Sequence, residues 1–151
     1  MKSLMSFLVV FLTGISVFAQ SDTAYVNRLS YSMDPAFAPF YHGVASGDPL
    51  TDRVILWTRV TPLGPVDSIQ VDWKIATDTL FNNVVTTGTL WAKDLSDYTV
   101  KVDAVGLQPD MWYYYQFRAL NTNSIVGRTR TMPQGTCDSL RFAILSGSNY
   151  N

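Results

Sequence analysis

From residue 42 onward, apolar and polar side chains alternate in short runs, and each run is closed by Gly, Pro, Asn or Asp. The run Ile69–Thr77 shows this best: Ile69, Val71, Trp73 and Ile75 share one parity, and Gln70, Asp72, Lys74 and Ala76 the other. Successive side chains leave a pleated strand on opposite faces, so this pattern predicts a strand with one covered face. The same reading gives strands over His42–Ser46, Arg53–Val60, Val84–Ala92, Tyr98–Val105, Met111–Leu120 and Ser124–Thr131. Val84–Ala92 and Tyr98–Val105 are expected to pair as neighbours across Lys93–Asp97, and Asp78–Asn83 to form a turn. No stretch of the mature chain repeats apolar residues at helical spacing for three turns.

The chain is therefore expected to be all-β. About seven short strands with one apolar face each are satisfied by two packed sheets, an Ig/fibronectin III-like β-sandwich; a closed barrel is the alternative. Gly43-Val44-Ala45-Ser46-Gly47-Asp48-Pro49 reads as a short strand and a turn in which Gly47 supplies unusual backbone angles. Leu107-Gln108-Pro109 followed by Tyr113 suggests a corner in which the Tyr113 hydroxyl bonds back to the preceding backbone. An ordinary core aromatic is the alternative for Tyr113.

Composition narrows the picture. All 12 acidic residues are Asp and none is Glu, which disfavours helices and favours turns and caps. A formal net charge of −1 gives no reason to expect nucleic acid as a partner. One His and one Cys exclude a zinc site built mainly from those two residue types. Lys2, the apolar run Leu4–Phe18, and Val17 and Ala19 before a cut ahead of Gln20 read as an export signal, residues 1–19. That predicts a periplasmic or extracellular product with no stable membrane span after cleavage; a membrane anchor is the alternative. Residues 20–40, interrupted by Pro35 and Pro39, are expected to form an extended arm, and residues 41–133 the sandwich. Cys137 then has no partner for an internal disulfide.

Candidate chemistry is sparse. Gly43-x-x-x-Gly47-Asp48 lacks the Gly-Lys-Ser/Thr ending and the following helix of a phosphate cradle. No Gly-x-Ser-x-Gly surrounds any serine, so His42 reads as an edge or interdomain residue rather than a catalytic base. Asp48 with Asp52, and Asp94 with Asp97, sit on turns where Asp caps backbone amides; calcium ligation there is the less expected use. Trp57, Trp91, Trp112 and Tyr113–Tyr115 could form a sugar platform, although core packing is the commoner use of aromatics. After Thr131-Met132-Pro133-Gln134-Gly135, the run Leu140–Ser146 begins another strand and leads into Gly147-Ser148-Asn149-Tyr150. Residues 134–151 thus read as a linker and the first strand of a further α/β domain, or as an eighth strand of the sandwich.

The ordered set His42-Gly43-Val44-Ala45-Ser46-Gly47-Asp48-Pro49, Val54-Ile55-Leu56-Trp57-Thr58-Arg59, Gly106-Leu107-x-Pro109, Tyr113-Tyr114-Tyr115-x-Phe117 and Gly127-Arg128-Thr129-Arg130-Thr131-x-Pro133 resembles the N-terminal domain of PhoD-type alkaline phosphatases/phosphodiesterases. The resemblance implies structural roles for Gly43, Gly47, Asp48, Pro49, Trp57, Arg59, Leu107, Pro109, Tyr113, Gly127 and Arg128. It also implies a metallophosphoesterase domain downstream that uses iron and calcium. Ser146, Gly147, Ser148, Asn149 and Tyr150 match the family's first active-site segment, but Gly147 stands where the family usually has an iron-ligating cysteine. These features imply a non-catalytic accessory domain with no cofactor of its own, inactive in isolation as a truncated product. A fragment of an active secreted phosphatase and a stand-alone binding module are the alternatives.

Overall fold

A computed structural model describes residues 33–136. The export signal, most of the arm, Cys137, the Leu140–Ser146 run and the Ser146–Tyr150 segment lie outside the described residues. The chain enters through a 3₁₀ turn at Pro35–Phe37, capped by Asp34, whose carboxylate accepts from the Ala36 N–H. Phe40 follows and is already 2% exposed, inside the core.

Eight strands follow. They are β1 (Val44–Gly47), β2 (Arg53–Arg59), β3 (Ser68–Ala76), β4 (Val84–Lys93), β5 (Thr99–Val105), β6 (Trp112–Ala119), β7 (Thr122–Asn123) and β8 (Gly127–Arg130). The order β1-β2-β5 makes one antiparallel sheet, and β4-β3-β6 the other, with β7 and β8 both pairing β6. β7 meets Arg118 and Ala119, while β8 meets Trp112–Tyr115, so the two are pieces of one interrupted edge strand. No ladder joins the two sheets among the described residues, so the strands form an open sandwich and not a barrel. β4 lies beside β3, giving three strands against four, unlike the constant-type Ig partition in which the fourth strand joins the other sheet.

This placement corrects the expected pairing of β4 with β5. A 3₁₀ turn at Asp94–Ser96 and positive φ at Asp97 and Tyr98 carry the chain across to the opposite sheet. There β5 pairs β2, burying Val100, Val102 and Ala104 beneath it. A short connection alone cannot tell a hairpin from a corner; the backbone angles inside it decide.

The core is the seam between the sheets. Val54, Leu56 and Thr58 of β2 and Val100, Val102 and Ala104 of β5 face Ile69, Val71 and Ile75 of β3 and Tyr113, Tyr115 and Phe117 of β6. Thr58 is fully buried, and its hydroxyl donates to the Gly43 carbonyl at 2.8 Å. Met111, the first residue of the expected strand Met111–Leu120, lies before β6 and is 40% exposed.

Two aromatic rings lie on cross-strand glycines. Trp73 pairs Gly88, and Tyr115 pairs Gly127. A Cβ at Gly127 would overlap the Tyr115 ring, and one at Gly88 would stand 2.7 Å from Trp73 Nε1. Tyr115 is 2% exposed, so its ring has nowhere to retreat. Gly127→Ala is therefore expected to cost about 1–3 kcal/mol in a urea unfolding curve through overpacking. A loss below ~0.5 kcal/mol would show that the ring is free to shift.

Candidate functional site

The features that sequence motifs single out gather at two ends of the sandwich. At one end lie the β1–β2 turn, the β5–β6 corner and the segment leaving β8. In the β1–β2 turn the left-handed residue is Asp48, φ 47°, and not Gly47, which stays in β1 with no positive φ. Asp tolerates this conformation better than most residues because its short side chain bonds locally. Pro49 follows, and the Leu50 N–H donates to the Arg53 carbonyl at 2.9 Å.

The corner Gly106–Asp110 begins and ends with positive φ, 80° at Gly106 and 57° at Asp110. Leu107 is buried, and its N–H donates to the Asp52 carbonyl. Pro109 holds the bend between them. The Gln108 N–H donates to the Tyr113 hydroxyl at 2.8 Å, and Tyr113 is 1% exposed. Thr131, also buried, donates from its hydroxyl to the Gln108 carbonyl at 2.6 Å, and accepts from the Met111 N–H at 3.1 Å. Backbone bonds from Asp110 to Met132, Thr131 to Met111 and Met132 to Leu50 complete the closure. Thr131 stands in the family pattern but outside the residues assigned structural roles, and its alternation with Arg128 and Arg130 is the sequence signal that marks its inward parity.

This end is closed in hydrogen bonds but open in apolar surface. Leu50, Met111, Trp112 and Met132 are 55%, 40%, 48% and 37% exposed. Arg128 and Arg130 lie over the Trp112 ring at 4.6 and 5.4 Å from its centroid, so Trp112 is a cation-stacked surface residue and not core. Arg130 also pairs with Asp110 at 2.6 Å. Arg53 bridges Asp52 and Asp103 at 3.2 Å each. Its guanidinium holds the Asp52 carboxyl below the usual range, first through the side-chain hydrogen bond. The Asp52 and Asp97 carboxylates thus pair with arginines instead of capping amides as expected, while Asp94 does cap, accepting from the Leu95 N–H. The strongest amide capping falls to Asp78, whose carboxylate accepts from the Leu80, Asn82 and Asn83 N–H groups.

At the opposite end, Arg59 holds the β4–β5 connection. Both Asp97 oxygens accept from it, at 2.9 and 2.7 Å, and it also donates to His42 Nε2 at 3.0 Å and Thr61 Oγ1 at 3.2 Å. His42 is thus a surface acceptor for an arginine, with no nucleophile in the cluster. An open cleft of about 480 Å³ lies nearby, lined by Pro62, Leu63, Val66, Arg118 and Leu120 among others. Trp57 sits mid-strand in β2 opposite Ala45 and Lys101, half-buried. Trp91 is on β4, in the other sheet, so Trp57, Trp91 and Trp112 do not share one platform.

Among the described residues no three of His, Cys, Asp and Glu gather to hold a metal. The described residues therefore do not fit a bound iron or calcium ion. No helix among them is long and apolar enough to cross a membrane.

Two substitutions report on the two ends. Tyr113→Phe removes the acceptor of the Gln108 N–H and is expected to cost about 1 kcal/mol; a loss well under ~0.5 kcal/mol would dismiss the corner bond. Arg59 holds the Asp97 carboxyl below its ordinary range, chiefly through their side-chain hydrogen bond. Folded Asp97 thus binds its proton less readily than the unfolded chain does. The stabilisation is complete above the ordinary Asp range and is lost as pH falls through the lowered folded value. Asp97→Asn should flatten that acid limb of the stability–pH curve, and an unchanged limb would assign it to other carboxylates.

The family model described as "PhoD-like phosphatase, N-terminal domain" matches residues 26–133. "Alkaline phosphatase D" of Bacillus subtilis (strain 168) is 40% identical over 120 residues, which cover 74% of this chain and 21% of that protein. The solved structure of PhoD superposes with a TM-score of 0.64 at 39% identity, covering 70% of this chain and 22% of that one. The chain thus spans about a fifth of the length of these relatives. With a family model covering most of its length, this chain belongs to the PhoD-like phosphatase family, which it matches through the N-terminal domain.

Proposed function

We propose that this chain is the non-catalytic N-terminal domain of an exported PhoD-like phosphatase or phosphodiesterase, and that its β1–β2/β5–β6 end receives the catalytic domain. The observation that carries the proposal is the concentration of Leu50, Met111, Trp112 and Met132, all exposed, around the backbone that leaves β8. Clustered apolar surface rimmed by charge marks a contact site, and here Arg53, Arg130 and their carboxylate partners supply the rim. The chain passes through this patch as it leaves β8. The hydrogen-bonded closure of Leu50, Asp110, Thr131 and Met132 would fix the direction of that exit.

The absence of any convergent nucleophile, base and cation set among the described residues supports an accessory role. Chemistry of the kind the family name implies would need groups from outside this domain. Gly147, where family members usually carry a cysteine ligand, offers no side-chain donor to a metal.

The test uses the secreted chain as it stands. Supplied with iron and calcium, a homogeneous preparation is expected to hydrolyse aryl phosphate monoesters and diesters at the background rate. Metal-dependent turnover that copurifies with the chain would overturn the accessory reading. The docking part is tested separately by the nucleotide sequence downstream of Asn151: a continuing frame that encodes an α/β domain supports it, and an immediate stop refutes it.

A further inference from the structure

Among the described residues β4 is the longest strand, ten residues, and it lies at the edge of its sheet with β3 on one side only. Outside the β3 ladder, none of the residues from Val84 to Ala92 makes a backbone hydrogen bond among the described residues. Only the end of the strand is closed, where the Tyr98 N–H donates to the Lys93 carbonyl. An edge of this length presents a row of unpaired N–H and C=O groups, which is a template for another strand.

The other edges are short or charged. β1 has four residues, β5 carries Lys101 and Asp103 on its exposed parity, and β8 carries Arg128 and Arg130. β4 carries no charge before Lys93 and no proline. Its register shift against β3 is confined to the first residues, beside Ala76, leaving Thr86–Lys93 regular.

We propose that this edge pairs with the β4 edge of a second copy of the chain, antiparallel about a two-fold axis at Gly88. Antiparallel pairing of identical strands closes at two copies and leaves no further edge of this kind. In this register Thr87 lies opposite Thr89 of the second copy and Thr86 opposite Leu90, with each pair repeated across the axis, and Trp91 falls beside the bulged end of the partner strand at Val84 and Val85. Val84, Val85 and Trp91 are 43%, 42% and 57% exposed, so large apolar residues stand at both ends of the open edge, and the two-fold brings one end against the other. Thr87, Thr89 and Trp91 stand opposite Lys74, Asp72 and Gln70 on the outer face of β3, so they share one face. Threonine pairs and aromatic–β-branched pairs are favourable across antiparallel strands. Lys93 falls opposite Asn83, so no like charges meet. The contact is a single strand pair, small among specific interfaces, and the association it gives is weak and concentration-dependent.

The mature secreted chain, kept reduced so that Cys137 takes no part, is followed by sedimentation velocity and amide hydrogen exchange as its concentration rises. The expected result is a monomer–dimer equilibrium in which protection grows with concentration at Thr86–Trp91 and not elsewhere. Thr87→Lys/Thr89→Lys places lysines opposite one another twice across the axis and is expected to raise the dimer Kd by roughly tenfold or more. Trp91→Thr, a milder change at an exposed position, is expected to weaken the dimer without altering the monomer melting temperature. A chain that stays monomeric with freely exchanging edge amides overturns the proposal. So does a dimer whose protected amides lie on another strand. Protection of Thr86–Trp91 that is independent of concentration also overturns it, because the chain would then be covering its own edge.

Discussion

The seam between the two sheets is the constraint on which everything else rests. Each strand buries one parity, and the other must face water, so a shift by one residue would expose Val54 and Leu56 or Tyr113 and Phe117 together. That requirement locks the β2–β5 and β3–β6 ladders into single registers. The few polar groups inside are satisfied: Thr58, Ser124 and Thr131 are buried, and no buried side-chain nitrogen or oxygen among the described residues lacks a partner. A core whose Thr58, Ser124 and Thr131 hydroxyls are hydrogen-bonded where they enter it can hold its loops at fixed positions.

Those loops divide the molecule into ends of different character. Where the chain leaves β8, backbone bonds tie three connections together while their side chains leave apolar surface uncovered. At the opposite end, Arg59 clamps the β4–β5 connection through a bidentate pair, with His42 and Thr61 accepting from its Nη1. Both are structural uses of conspicuous polar residues. The motifs that resemble the PhoD-type pattern run through β1, β2, β6 and β8 and the corners that join them.

Much of this was legible beforehand because strand alternation is local. Arg53–Arg59, Ser68–Ala76 and Thr99–Val105 stand within one residue of the expected bounds at each end. The Tyr113 corner was legible because its parts lie within seven residues of one another, Leu107 to Tyr113. The candidate site was less legible. Trp112 belongs to an outward parity, yet only the tertiary neighbours Arg128 and Arg130 make it a stacked surface residue. Arg59 carries no local sign that its partner is Asp97, since 38 residues separate them.

By itself the sequence determined the all-β class, the faces of the longer strands and the family pattern, because each depends on spacing along one strand or turn. Which sheet β4 joins was decided by tertiary structure. Lys93–Asp97 is short enough for a hairpin, but positive φ at Asp97 and Tyr98 turns it into a crossing. The role of Asp48, the burial of Thr131 and the gathering of Leu50, Met111 and Met132 at one end were likewise settled only in three dimensions. Each depends on segments distant in sequence meeting at a corner, and no periodicity along the chain records that meeting.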